Sequence, residues 1–274
     1  MSWTRTVLTF LLCAAGAVAQ PEWRQSPGYQ AYQKGNALFV AQKFPESEAA
    51  IEEALRLDPK LVPALTLKAK LAMAGNRFDV AGECLRRALA ADRTSGYAEF
   101  LYGLLAYVTN DLRAALPRFE KARQLSPADP HVVLYLGIVS ETLGQTDRAL
   151  SYYEEAAGLE QRAGAPQAAT FLAGARLLLL MGRDGDSERW IAQALKVEPG
   201  SRDGHFEFAR LLLKKGAPAQ AAKEGETALV LHGGDATDAQ IHYLLIRAYR
   251  ESGSPSQAAR HADILRSLDQ NTPR

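Results

Sequence analysis

The stretch KFPESEAAIEEALRLDP (residues 43–59) is restated twice further on, as DLRAALPRFEKARQLSP (111–127) and GDSERWIAQALKVEP (185–199). Each version closes on a proline, with an alanine five positions earlier (Ala54, Ala122, Ala194). A large apolar residue stands three positions before that alanine (Ile51, Phe119, Ile191). A shared spacing of small, large and terminating residues points to one repeating helical unit.

Aligned on the small residues and prolines, the chain has repeat starts near 28, 62, 96, 130, 168, 202 and 239, in steps of 34, 34, 34, 38, 34 and 37. The third unit reads GYAEFLYGLLAYVTNDLRAALPRFEKARQLSP (96–127). Gly103 gives its first helix a small residue where the second must approach, Ala115 and Ala122 do the same on the second, and Phe119 fills the space between units. Pro127 lacks an N–H and disfavours helix before it, so the second helix stops there. The matching small residues elsewhere are Gly35, Ala69, Gly137, Ala175 and Ala209. Gly75, Gly144, Gly182, Gly216 and Gly253 punctuate the inter-helix turns, where a positive φ is expected.

A 34-residue period of two amphipathic helices resembles the tetratricopeptide repeat family across essentially the whole chain after residue 19. The resemblance implies an all-α fold, a right-handed superhelical α-solenoid of about seven helix-turn-helix units over residues 28–268. Some positions depart from the pattern. Of the large aromatics near the start of first helices, Phe171 remains, while His205 and His242 replace it in units six and seven. Extra residues sit around 162–166 and 233–235 and read as loops. The helix near 256–268 must cap the array itself, with Arg260, Asp263 and Arg266 outward, and residues 269–274 read as a flexible tail.

The first residues form a separate object. Arg5 precedes an apolar run from Val7 to Ala15, and Ala17-Val18-Ala19 supplies a small-x-small cleavage signal. Residues 1–19 read as a signal peptide, cleaved after Ala19, and residues 20–27 as a linker. Leu12 before Cys13 argues against a lipid anchor. The run is too short to span a membrane comfortably, so the mature chain is expected to have no membrane span. Export implies a periplasmic or secreted protein. Removing residues 1–19 takes Arg5 and Cys13 away, so 31 basic residues balance 31 acidic ones and Cys84 has no internal disulfide partner.

The near-zero charge gives no electrostatic drive toward nucleic acid. Patterns for phosphate loops, metalloprotease helices or clustered Cys/His sets are absent, so no enzyme activity, cofactor or metal is expected. His205 and His242 share one repeat position and are expected to lie near each other, Glu52 is expected to pair with Arg56, and Cys84 reads as a semi-buried structural thiol.

In the family, first helices line a concave face. Carried onto this chain, units one to four contribute Tyr29, Tyr32, Asn36, Phe39, Tyr97, Phe100, Leu104, Tyr107, Leu134 and Ile138, an aromatic and apolar set. Units five to seven contribute Arg176, Arg210, Lys214, Tyr243, Arg247 and Arg250, a basic set with Asp203 and Glu251 as its acidic members. The carboxylate clamp of some members is not supported, because Tyr32 and Lys70 replace two expected residues. The implied function is a non-enzymatic adapter binding a protein or peptide with an apolar part and an acidic part. The alternative is a self-assembling structural protein that fills its own groove.

Overall fold

Seven helical hairpins follow one another along the described residues. The computed structural model describes residues 26–271, with side chains described to Leu268. The expected signal peptide, most of the linker and the last tail residues lie outside the described residues. Two compact units are formed, one ending at Thr94 and one starting at Ser95.

The first unit holds α1 (Pro27–Val40), α2 (Phe44–Leu57), α3 (Val62–Ala74) and α4 (Phe78–Ala91). The second holds α5 (Gly96–Val108), α6 (Leu112–Leu125), α7 (Pro130–Thr142), α8 (Thr146–Arg162), α9 (Ala168–Leu180), α10 (Asp184–Val197), α11 (Arg202–Lys214), α12 (Pro218–Val230), α13 (Asp238–Glu251) and α14 (Pro255–Asn271). Every described element of regular structure is a helix, and consecutive helices pack in pairs. The all-α expectation of about seven hairpins therefore holds. The C-terminal helix runs to Asn271, into the stretch expected to be tail.

Helix starts are written into the sequence. The side chains of Ser26, Ser95, Asp129, Ser201 and Thr237 each accept a backbone N–H in the first turn of a first helix. Such caps satisfy donors that the helix cannot satisfy itself. Thr237 and Gln240 bond reciprocally in a capping box.

The repeated stretch explains the packing. Second helices bury residues at i, i+4 and i+7: Ser47/Ile51/Ala54, Ala115/Phe119/Ala122, Ala149/Tyr153/Ala156 and Ser187/Ile191/Ala194. In the first three sets the middle residue fills the gap left by a glycine on the first helix. A Cβ on Gly35 would fall 2.7 Å from Ile51 Cδ1, and one on Gly137 would fall 2.6 Å from Tyr153 Cε1. In the sixth hairpin the middle position of the second helix is itself a glycine, and Gly225 of α12 makes room for Leu245 of α13 in the next hairpin. Ser47 and Ser187 donate their hydroxyls to the carbonyls of Gly35 and Ala175 at 2.7 and 2.9 Å, fixing the same register.

Each hairpin turn passes through one left-handed residue: Gln42, Asn76, Asn110, Gly144, Gly182, Gly216 and Gly253. The sequence reading chose Gly75 for the second turn. That glycine caps α3 at φ −92°, and Asn76 takes the positive φ of 55°. Asn tolerates this region better than other residues with a Cβ.

The longer steps are absorbed locally. The extra residues after α8 extend that helix through Arg162 rather than forming only a loop. The buried Glu160 carboxylate then accepts from the Gln167 N–H at 3.0 Å and the Thr170 hydroxyl at 2.6 Å, securing the start of α9. After α12, buried Arg202 donates to the carbonyls of Leu231 and Ala236, each at 2.8 Å, and pairs with Asp238. Asp203 accepts from the N–H groups of Asp235 and Ala236.

Candidate functional site

In the first unit, Tyr29 and Tyr32 are half-buried, with ring centroids 5.4 Å apart. Asn36 is exposed. Phe39 packs on Phe44, and the Lys70 ammonium sits 4.5 Å from its ring centroid. Burial pulls the Lys70 pKa below the usual lysine value. This lysine is committed to an aromatic face.

In the second unit, the expected aromatic lining divides. Tyr97 is 45% exposed and stacks on Phe100. Phe100 packs against Phe119 and Tyr135, and Tyr107 meets Tyr135 edge-on. Leu104, Leu134 and Ile138 also lie against the core. Five of these residues therefore contribute to hairpin packing as well as to a surface.

The expected cations converge more tightly. Arg210, Lys214, Tyr243 and Arg247 line one cavity of about 720 Å³, with Leu179, Leu180, Phe206, Leu213, Ala239, Gln240, Leu244 and Leu265. Arg176 and Arg250 are outside it. The wall is built from i, i+4 stripes: Phe206, Arg210 and Lys214 on α11, and Ala239, Tyr243 and Arg247 on α13. Two large apolar side chains stay open there, Leu180 at 73% and Tyr243 at 71% exposure.

The basic set is less bare than the first-helix residues suggest. Arg210 pairs with Glu207 at 2.8 Å, Lys214 with Asp184 at 2.6 Å, and Arg247 with Glu251 at 2.7 Å. Glu207 lies one turn before Arg210 on α11, and Asp184 comes from a second helix, so neither belongs to the set of inward first-helix residues. Arg176 lies in the field of Tyr153 and Glu207. Burial pushes the Glu207 carboxyl above the usual carboxylate range, and the nearby Arg210 and Arg176 oppose this. Asp203 serves the loop rather than the cavity.

His205 and His242, expected to lie near each other, each bond to another helix, His205 to Glu224 at 2.7 Å and His242 to His261 at 2.9 Å. Two further expectations need correction. Arg56 pairs with Glu53 one turn back, while Glu52 reaches Lys68. Cys84 is almost fully buried, at 3% exposure, and burial pushes its thiol pKa up. Leu180 and Phe206 were missed as site residues. Both lie four residues from a chosen arginine, Arg176 and Arg210, so extending those stripes by one turn finds them.

These elements define an all-α array of helical hairpins with an open apolar cavity among its first helices. The family model described as Tetratricopeptide repeat matches residues 32–96, 66–112 and 101–169, together just over half of the chain. The chain belongs to the tetratricopeptide repeat family. Comparison with curated proteins gives no match. Among solved structures, PilF of Pseudomonas aeruginosa is similar with a TM-score of 0.67 at 21% identity, covering 76% of this chain and 93% of that one. A tetratricopeptide repeat protein from Parabacteroides merdae has a TM-score of 0.64 at 15% identity, covering 89% of this chain and 94% of that one. YrrB, described as having an unusual peptide-binding site, has a TM-score of 0.54 at 19% identity over 74% of this chain and 98% of its own. At these identities the likeness is one of fold.

Proposed function

We propose that this chain is a non-enzymatic adapter of the cell envelope that captures a peptide segment of a partner protein on the first-helix side of α9, α11 and α13. The observation that carries the reading is the cavity of about 720 Å³ in which exposed Leu180 and Tyr243 sit beside Arg210, Lys214 and Arg247. Exposed apolar groups in a concave site favour a large side chain of a ligand. The three cations favour acidic residues flanking that side chain, and their existing carboxylate partners limit the gain to an exchange of one partner for another. The peptide-binding site described for YrrB supports the same use of the fold.

Selection of random peptides on the full chain, followed by affinity measurement, tests this reading. Selected peptides should combine a large apolar residue with Asp or Glu, and Tyr243→Ala should weaken them at least about tenfold with an unchanged circular dichroism spectrum. Equal binding by Tyr243→Ala would overturn the cavity assignment. Arg210→Glu with Arg247→Glu should remove the acidic preference. Envelope localisation rests on the apolar run Val7–Ala15 and the Ala17-Val18-Ala19 signal, so the mature protein should begin at Gln20.

The exposed Leu180 and Tyr243 also favour a second reading, in which another copy of the chain fills the cavity. Sedimentation over a range of concentrations separates the two, because a constant monomer excludes self-filling.

A further inference from the structure

The last hairpin encloses a buried pair of imidazoles. His242 on α13 and His261 on α14 face each other with Nδ1 atoms 2.9 Å apart, and each residue is 5% exposed. The far nitrogen of His261, Nε2, lies 3.0 Å from Glu226 Oε1 on α12. The Tyr249 hydroxyl donates to that same oxygen at 3.0 Å, and its ring stacks on His261. Asp238 of α13 also acts on His242, and Arg260 of α14 acts on Tyr249. From α11, His205 is engaged with Glu224.

Proton counting sets the behaviour of this cluster. A bond between two Nδ1 atoms needs one proton, donated by one ring and accepted by the other. One positive charge can be held, with His261 doubly protonated against Glu226 and its Nδ1–H donated to His242. A second charge would place N–H against N–H at 2.9 Å, between two buried rings.

We propose that His242 and His261 form an acid-sensitive latch that holds α13 to α14 at neutral pH and releases the hairpin in mild acid. Burial, and then the neighbouring His261, lower the His242 pKa, while Asp238 and Glu226 oppose them. A lowered folded value means that the opened hairpin binds the proton first. The latch is therefore intact above the ordinary histidine range and weakens as pH falls below about 6.5. Because α13 carries Tyr243 and Arg247 and α14 carries Leu265, release also dismantles one wall of the cavity. That consequence rests on the proposed function; the latch itself does not.

Hydrogen exchange of the full chain between pH 7.5 and 5, corrected for intrinsic rates, tests the latch without a ligand. The opening equilibrium of α13 and α14 should rise by up to about tenfold per pH unit below 6.5, with α5 to α10 unchanged. The double variant His242→Gln/His261→Gln should lose this dependence. A wild-type hairpin no steeper than α5 to α10, or a double variant with unaltered dependence, would overturn the proposal. Should the variant fail to fold, histidine titration of the wild type by NMR decides, with exposed His131 and His232 as internal references. His242 should charge at lower pH than both, together with loss of hairpin protection. A His242 that titrates with the references while the hairpin stays protected would sink the latch.

Discussion

Phe119 occupies the volume that a side chain on Gly103 would need: a Cβ there would fall 2.7 Å from two atoms of the ring. The two residues are a complementary pair, and one cannot grow unless the other shrinks. Gly103→Ala should destabilise the second unit by about 1–3 kcal/mol through overpacking. Phe119→Ala should cost about 3–5 kcal/mol through the cavity it leaves. The double variant should cost less than the sum, because the small ring-free site accepts the new methyl group. Urea unfolding of the three variants measures this coupling, and strict additivity would refute it.

The seven left-handed turn residues give a second test. Gln42 takes φ 58° with a full side chain, where four later turns use glycine. Relief of about 1–2 kcal/mol of backbone strain, less about 0.4–1 kcal/mol of added unfolded-chain freedom, makes Gln42→Gly stabilising. The net gain should be about 0.5–1 kcal/mol. Gly182→Ala, at φ 75°, should lose about 1 kcal/mol. Thermal unfolding measures both.

Glu207 provides a pH test away from the histidines. Its folded pKa is raised, chiefly by burial, so the folded state takes up the proton before the unfolded chain does. Its contribution to stability therefore grows as pH falls through the folded value and is complete below the unfolded value of about 4.5. Wild-type stability relative to Glu207→Gln should rise between pH 7 and 4.5, by no more than about 1.4 kcal/mol per unit. A difference that falls over this range would reverse the assignment.

Cys84 is buried, and burial pushes its thiol pKa up. Labelling by a thiol reagent in the native state should be slower than in urea by about a hundredfold or more, following local opening. Labelling at the free-thiol rate would show that α4 is not packed as described.

The fold was legible because packing here is local and periodic. The stretch 43–59 already carries the buried spacing of Ile51 and Ala54, and the same spacing recurs as Phe119/Ala122 and Ile191/Ala194. The turn glycines were legible in four of the five cases, and the error at Gly75 arose because Asn76 also reaches the left-handed region. The cavity was legible in part. Arg210, Lys214, Tyr243 and Arg247 follow from helical register, but the counter-charge of Lys214 does not, since Asp184 lies 30 residues before it. The partnership of His242 with His261 was hidden for a related reason. Position within the repeat says which residues are equivalent, whereas contact depends on the facing helix, and that helix differs from unit to unit.

The closures made by Glu160 and by Arg202 with Asp203 bear on how such a chain can change its length. Each stitches added residues to helices beside them, and after the first the buried spacing resumes downstream as Ser187/Ile191/Ala194. Insertions at these junctions are quarantined: the modules beyond them keep their own internal geometry, and a duplication or splice made there would leave every wedge and notch matched.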